Sequence, residues 1–189
     1  MRFFTKERIP STLEQKRECL RETWDIYTYS FPKHERRAFS SYEKVCQNET
    51  AFVPYTLRDE NGAPIGLFWY WETEDGVYLE HFAIEKSHRN GGLGAEILGE
   101  FLQLHPNVVL EAEEPVDALT RRRIGFYQRN GMIFNGFTYT NPGYWTTPID
   151  HQLCLVSSQP MNPAQCQAFV DQFIMRKPLA YVADLADES

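Results

Sequence analysis

The residues Arg89-Asn90-Gly91-Gly92-Leu93-Gly94 stand between a strand-like run, Val77 to Ile84, and a helix-like run, Ala95 to Leu104. This junction constrains the fold more than any other segment. A strand that turns through glycines into a helix, and then meets another strand-like run at Val108 to Glu113, is a βαβ crossover. Its two strands run parallel in one sheet. The junction also constrains chemistry. Three glycines in four positions, behind a basic residue and ahead of a helix, let backbone N–H groups converge. The helix start adds partial positive charge there, which makes a phosphate cradle.

What lies upstream has a different period. Phe52 to Leu57 and Ile65 to Trp71 flank Asn61-Gly62, a two-residue hairpin signal, and Asp75-Gly76 turns the chain into Val77 to Ile84. These runs predict a three-stranded antiparallel meander. Before it, the chain reads as a strand followed by helices. Ser11, three positions before Glu14, offers a capping box for a helix from Leu13 to about Tyr29. Phe31-Pro32 breaks that helix, and a second spans about Lys33 to Cys46. After the crossover come a helix at about 117–130, a strand at Met132 to Phe137, a final strand at Gln152 to Val156 and a short helix from Pro163 to about Met175. The fold class is α/β (α+β): a mixed sheet, with an antiparallel N-terminal meander and parallel central strands, flanked by helices.

Three phosphate-loop patterns compete for the junction. A P-loop needs Lys-Ser or Lys-Thr after its second glycine, and none follows here. A dinucleotide loop needs a third glycine where Ile97 stands, although Glu113 lies near the place of a ribose-binding acid. The third pattern, R-x-x-G-x-G, is met by Arg89, Gly92 and Gly94. On it the chain resembles the GNAT superfamily of acyl-CoA N-acyltransferases, whose loop follows a central strand and opens a helix. A second segment, Arg122-Arg123-Ile124-Gly125-Phe126-Tyr127-Gln128-Arg129-Asn130-Gly131-Met132, resembles the family's later segment. There a helix ends in a Tyr, polar residues, a Gly and a large apolar residue that starts the next strand. Thr120 stands where members often carry Asn, and Met132 where Phe is usual. The resemblance covers roughly residues 77 to 137.

Acetyl transfer from acetyl-CoA to a primary amine is what the resemblance implies. Backbone N–H groups of Asn90, Gly91, Gly92, Leu93 and Gly94, with Arg89 nearby, are expected to hold the pyrophosphate. A backbone N–H among Phe82, Ala83 and Ile84 is expected to polarise the thioester carbonyl. Alternation along the strand puts Tyr78, Glu80, Phe82 and Ile84 on one face and Val77, Leu79, His81 and Ala83 on the other. A carboxyl in the middle of a central strand suits a cleft, so Glu80 is the expected general base. His81 and a water chain are its rivals. Tyr127, by its match to the family's Tyr, is the expected acid toward the leaving thiolate. No cysteine is placed by motif for covalent catalysis, so direct attack in a ternary complex is expected.

The remaining properties bound the alternatives. A chain of 189 residues suits one acyltransferase domain over 1–189, with a helical tail from about 160 to 189 serving as lid, packing element or dimer contact; a homodimer is one option. A net charge of −7 argues against nucleic acid as a partner. No run is apolar enough for a membrane span, and the N-terminus lacks a secretion signal. Cys19, Cys46, Cys154 and Cys166 are widely spaced, which favours free thiols, a cytoplasmic setting and no metal site. Glu111, Glu113 and Glu114, if they line the acceptor cleft, favour a cationic small molecule or a peptide N-terminus as acceptor. The Phe31 to Arg37 stretch falls where, by the resemblance, acceptor-binding helices lie. Two rival functions remain, a non-catalytic acyl-CoA-binding regulatory module and a nucleotide-dependent oxidoreductase.

Overall fold

A computed structural model describes residues 2–183; the last six residues of the C-terminal tail lie outside the described residues. The elements are α1 (Leu13–Ser30), α2 (Phe39–Asn48), β1 (Phe52–Arg58), β2 (Pro64–Glu72), β3 (Val77–Ile84), α3 (Leu93–Leu104), β4 (Val108–Glu113), α4 (Ala118–Arg129), β5 (Ile133–Asn141), β6 (His151–Ser157) and α5 (Pro163–Phe169). The strands make one six-stranded mixed sheet in the order β1-β2-β3-β4-β6-β5. The chain divides into two compact units, Met1–Phe31 with Cys46–Val108, and Pro32–Val45 with Val109–Ser189. None of the described helices is long and apolar enough to cross a membrane.

In the first unit β1, β2 and β3 pair antiparallel as expected. The turn at Asn61-Gly62 is longer than a two-residue loop. The Asp59 carboxylate accepts from the Asn61 and Ala63 N–H groups at 2.9 and 2.8 Å, and Gly62 takes φ +85° to close it. One face of the meander carries Phe4, Tyr55 and Phe68 against Phe101 of α3, with ring centroids 4.4–5.1 Å apart. The other carries Trp69 against Trp24 and Tyr27 of α1. The expected N-terminal strand is not formed. Instead the Phe3 and Phe4 N–H groups both donate to the Glu100 carboxylate at 2.9 Å, and Tyr55 Oη donates to Phe3 O. A buried carboxylate on α3 satisfies these backbone donors in place of a strand partner. The α1 cap lies one residue later than expected. Thr12 Oγ1 accepts from Gln15 N while Gln15 Oε1 accepts from Thr12 N, so the reciprocal pair is Thr12 and Gln15.

In the second unit β6 pairs antiparallel with both β4 and β5. The helix expected from Lys33 is only a short 3-10 turn, Lys33–Glu35, followed by extended backbone at Arg36. Arg37 turns inward there. Its guanidinium lies 4.0 Å over the Tyr144 ring and 5.2 Å from that of Tyr42, and donates to Tyr181 O at 2.9 Å. Burying this cation between aromatic faces fixes Arg36 and Arg37 outside helical geometry and delays α2 to Phe39. The C-terminal helix is also shorter than expected, because a π turn at Val170–Ile174 follows α5.

Candidate functional site

The phosphate-loop residues enter from β3. At its end Glu85 caps a 3-10 turn, Lys86–His88, by accepting from Ser87 N at 2.6 Å. Arg89 then anchors the chain. Its Nε donates to Ile84 O at 2.7 Å, one of its terminal nitrogens donates to Ser30 Oγ at 3.0 Å, and its guanidinium lies 5.8 Å from the Tyr29 ring. Asn90 and Gly92 both take left-handed backbone, φ +69° and +84°. Gly92 is the α3 N-cap and contributes no side chain to it. Among the described residues no protein acceptor takes the N–H of Asn90, Gly91, Gly92, Leu93 or Gly94. The first turn of a helix leaves such donors for whatever anion arrives. A Cβ at Gly91 or Gly92 would meet no protein atom within 4 Å. Packing therefore does not require glycine at 91, whereas the backbone angle requires it at 92.

The β3 ladder sorts the neighbouring backbone groups. Glu85 N donates to Ile65 O, and the register pairs Ala83 with Leu67, Phe82 with Phe68 and Ile84 with Gly66. In an antiparallel pair every second residue exchanges both bonds. Ala83 therefore turns its N–H to β2, while the N–H groups of Phe82 and Ile84 point away from β2. Of the three expected carbonyl-polarising positions, two have N–H groups outside this ladder.

Strict alternation fails at Glu80. The β2–β3 register steps from Trp69↔His81 to Tyr70↔Leu79, so β3 carries one extra residue in a β-bulge. As a result Glu80 and His81 do not lie on opposite faces. Trp71 Nε1 donates to Glu80 Oε2 at 2.8 Å, and the His81 ring lies 6.1 Å from Trp69, on the same face of β2 as Trp71. Phe82, expected beside Glu80, packs on Phe68 across the sheet, with centroids 4.9 Å apart. The bulge re-aims the carboxylate and the indole N–H orients it. His81 is 5% exposed and enclosed by Tyr27 and Phe31, at 5.0 and 4.6 Å, as well as Trp69. That environment is a core histidine's.

Tyr127 belongs to the second unit. The segment that resembles the family's later motif is a helix stop with a defined cause. Gly131 takes φ +84°, Gly131 N donates to Gln128 O, and Met132 N donates to Tyr127 O. This is a Schellman cap, in which only glycine adopts the left-handed position cheaply and the next residue turns inward. Met132 is buried accordingly. Tyr127 thus sits in the last turn of α4, and burial pushes its hydroxyl above its ordinary value, with Arg123 opposing. A raised value keeps the proton on the oxygen at neutral pH, as a hydrogen-bond donor or acid requires.

One further titratable group was not singled out from the sequence. Burial pushes the Glu35 carboxyl up to about 7; Glu113 adds to this and Arg123 opposes it. Its stretch, Phe31 to Arg37, is readable as a specificity region, but nothing local marks Glu35. Its neighbours come from β4 and α4.

The model of the acetyltransferase (GNAT) family matches residues 16–132. No curated protein sequence matches the chain. Among solved structures, a protein of Bacteroides thetaiotaomicron assigned to the GNAT acetyltransferase family superposes with a TM-score of 0.80. The two are 24% identical, over 97% of this chain and 100% of that one. A spermidine N-acetyltransferase mutant from Vibrio cholerae gives a TM-score of 0.54 at 13% identity, over 75% and 89% of the two chains. A phosphinothricin acetyltransferase from Sinorhizobium meliloti, solved with acetyl-CoA, gives 0.50 at 14% identity, over 77% and 85%. These likenesses share the fold, and the matched span contains the meander, the left-handed loop and the Tyr127–Gly131 helix stop, so the chain belongs to the GNAT family of acetyltransferases.

Proposed function

We propose that the protein transfers the acetyl group of acetyl-CoA to a primary amine by direct attack in a ternary complex. The observation that carries the reading is the loop: two left-handed residues, Asn90 and Gly92, open α3 and leave the N–H groups of Asn90 to Gly94 without protein acceptors among the described residues. Five such donors at a helix start fit a pyrophosphate. Arg89, held on Ile84 O and Ser30, shapes the loop and leaves its charge nearby. In this reading the backbone N–H of Phe82 or Ile84 receives the thioester oxygen. Glu80 removes a proton from the amine, and the Tyr127 hydroxyl donates one to the departing thiolate. The solved neighbour with acetyl-CoA and the spermidine acetyltransferase support the co-substrate and a cationic acceptor. Residues 1–189 then act as one cytoplasmic acyltransferase domain.

Calorimetric titration of acetyl-CoA into wild type and Gly91→Val, followed by a thiol-release screen over polyamines, amino acids and short peptides, tests the reading. Gly91 has no positive φ and no protein atom near its Cβ, so the variant is expected to fold and to lose acetyl-CoA affinity. Unchanged affinity in the folded variant removes the loop from the site. Binding without thiol release for any amine makes the protein a regulatory acyl-CoA binder instead.

A further inference from the structure

Glu35 ends the 3-10 turn Lys33–Glu35 in the second unit, and its side chain is 17% exposed, which shelters the carboxyl but leaves it reachable. His34 Nε2 lies 3.6 Å from Glu35 Oε1, and the His34 ring meets the His151 ring edge-on with centroids 5.4 Å apart. Two more charged groups bear on the carboxyl, Glu113 from β4 and Arg123 from α4. They are engaged with each other, since Arg123 donates to Glu113 Oε2 at 2.5 Å. From β6, His151 keeps a neutral ring at neutral pH, because burial pushes it below its ordinary value and His34 adds to this, with Glu113 and Asp150 opposing. Gly143, at φ +75°, holds the two histidine segments together: a Cβ there would stand 3.3 Å from His34 O and 3.4 Å from Ile149 O.

The cluster lacks a cation for one of its carboxyls. The single guanidinium pairs with Glu113, and among the described residues no hydrogen-bond donor reaches Glu35. A sheltered carboxyl without donors keeps its proton until a cation replaces it. We propose that Glu35, with His34, His151 and Glu113, forms a subsite for a cationic amine, whose ammonium pairs with the Glu35 carboxylate while the Glu35 proton leaves to solvent. The exchange balances: an ammonium and a carboxylic acid become an ion pair plus one free proton. His34, close to the carboxyl and 39% exposed, lies on the way out for that proton. The inference rests on the reading of the protein as an amine acetyltransferase, and it adds both the group that selects a positively charged acceptor and a proton released on binding.

The test is calorimetric titration of 1,4-diaminobutane and spermidine into the CoA-loaded protein, with 1,4-butanediol as the uncharged control. Each titration is run at about pH 6 and about pH 8.5 in two buffers of different ionisation enthalpy, which counts protons. The expected result is binding of both amines, no binding of the diol, and release of about one proton per amine at the lower pH and almost none at the higher. Glu35→Gln is expected to weaken amine binding by about 10-fold or more and to abolish the proton release. Its folding is checked by the thermal melt. Binding of neither amine, binding without proton release at the lower pH, or wild-type binding by Glu35→Gln each overturns the subsite. Thiol release with some other amine then still leaves the acetyltransferase reading standing. Failure to bind CoA sinks that reading instead.

Discussion

Replacing Glu35 by Gln should stabilise the protein at alkaline pH, by an amount the structure fixes. The carboxyl is pushed from its ordinary 4.5 up to about 7, first by burial and then by Glu113. A group whose value rises on folding binds its proton more tightly in the native state than in the unfolded one. For a carboxyl this opposes folding as pH increases. Below about pH 4.5 both states hold the proton and Glu35 costs nothing; between there and about 7 the cost grows, and above 7 it is constant. At 1.36 kcal/mol per tenfold, the full cost is about 3 kcal/mol. Gln keeps the shape and never ionises. The difference in stability between Glu35→Gln and wild type should therefore be near zero at acid pH and reach about 3 kcal/mol above neutrality, or roughly 6–12 °C in Tm. Taking the difference matters because His105 and His151, both pushed down by burial, gain stability as pH rises through the same window. The exposed carboxyls with lowered values, Glu7, Glu85 and Asp117, act only in the acid range. Scanning calorimetry of both proteins across pH 4 to 9 makes the measurement. A difference that stays flat with pH, or a variant less stable than wild type at pH 8, refutes the reasoning about this carboxyl's surroundings.

Three more outcomes are expected. Glu80→Gln should lower turnover by about 10² to 10⁴-fold with little change in acetyl-CoA affinity; a wild-type rate and pH profile would make the Trp71–Glu80 pair purely structural. Tyr127→Phe should slow turnover by about 10-fold or more while leaving Tm nearly unchanged; a lower Tm with an unaltered rate per folded molecule would reassign the hydroxyl to a structural hydrogen bond. Gly131→Ala, at φ +84°, should cost about 1–2 kcal/mol through strain at the α4 stop, and Gly91→Ala, free of that constraint, almost nothing, as chemical denaturation of the two can show.

Much of this was readable from residue types alone. The meander, the crossover and the helix stop at Gly131 follow from turn signals and periods that are local. So does the loop, because left-handed backbone at Gly92 needs a residue without a Cβ. The failures share a cause. Period-2 alternation assumes one residue per rung, so it cannot see the bulge that brings Glu80 and His81 to one side of β3. Ser11 and Thr12 are equally good caps by type, and only the Gln15 amide decides between them. The helix expected from Lys33 fails because Arg37 finds Tyr42, Tyr144 and Tyr181 O, partners set by tertiary structure. Glu35 was invisible for the same reason, since its environment comes from Glu113 and Arg123.

The strand order of the second unit has a consequence for how the chain is made. β6, the last strand synthesised, lies between β4 and β5 and pairs with both. A nascent chain that has emerged only as far as Asn141 therefore holds β5 with no rung to bind and β4 with its β6 side open. Those bare edges persist until His151–Ser157 leave the ribosome and zip the pair in one step. Any pause in translation between the two strands lengthens the interval in which this protein is most prone to pair with its neighbours, and a message broken there leaves a product that cannot close its sheet.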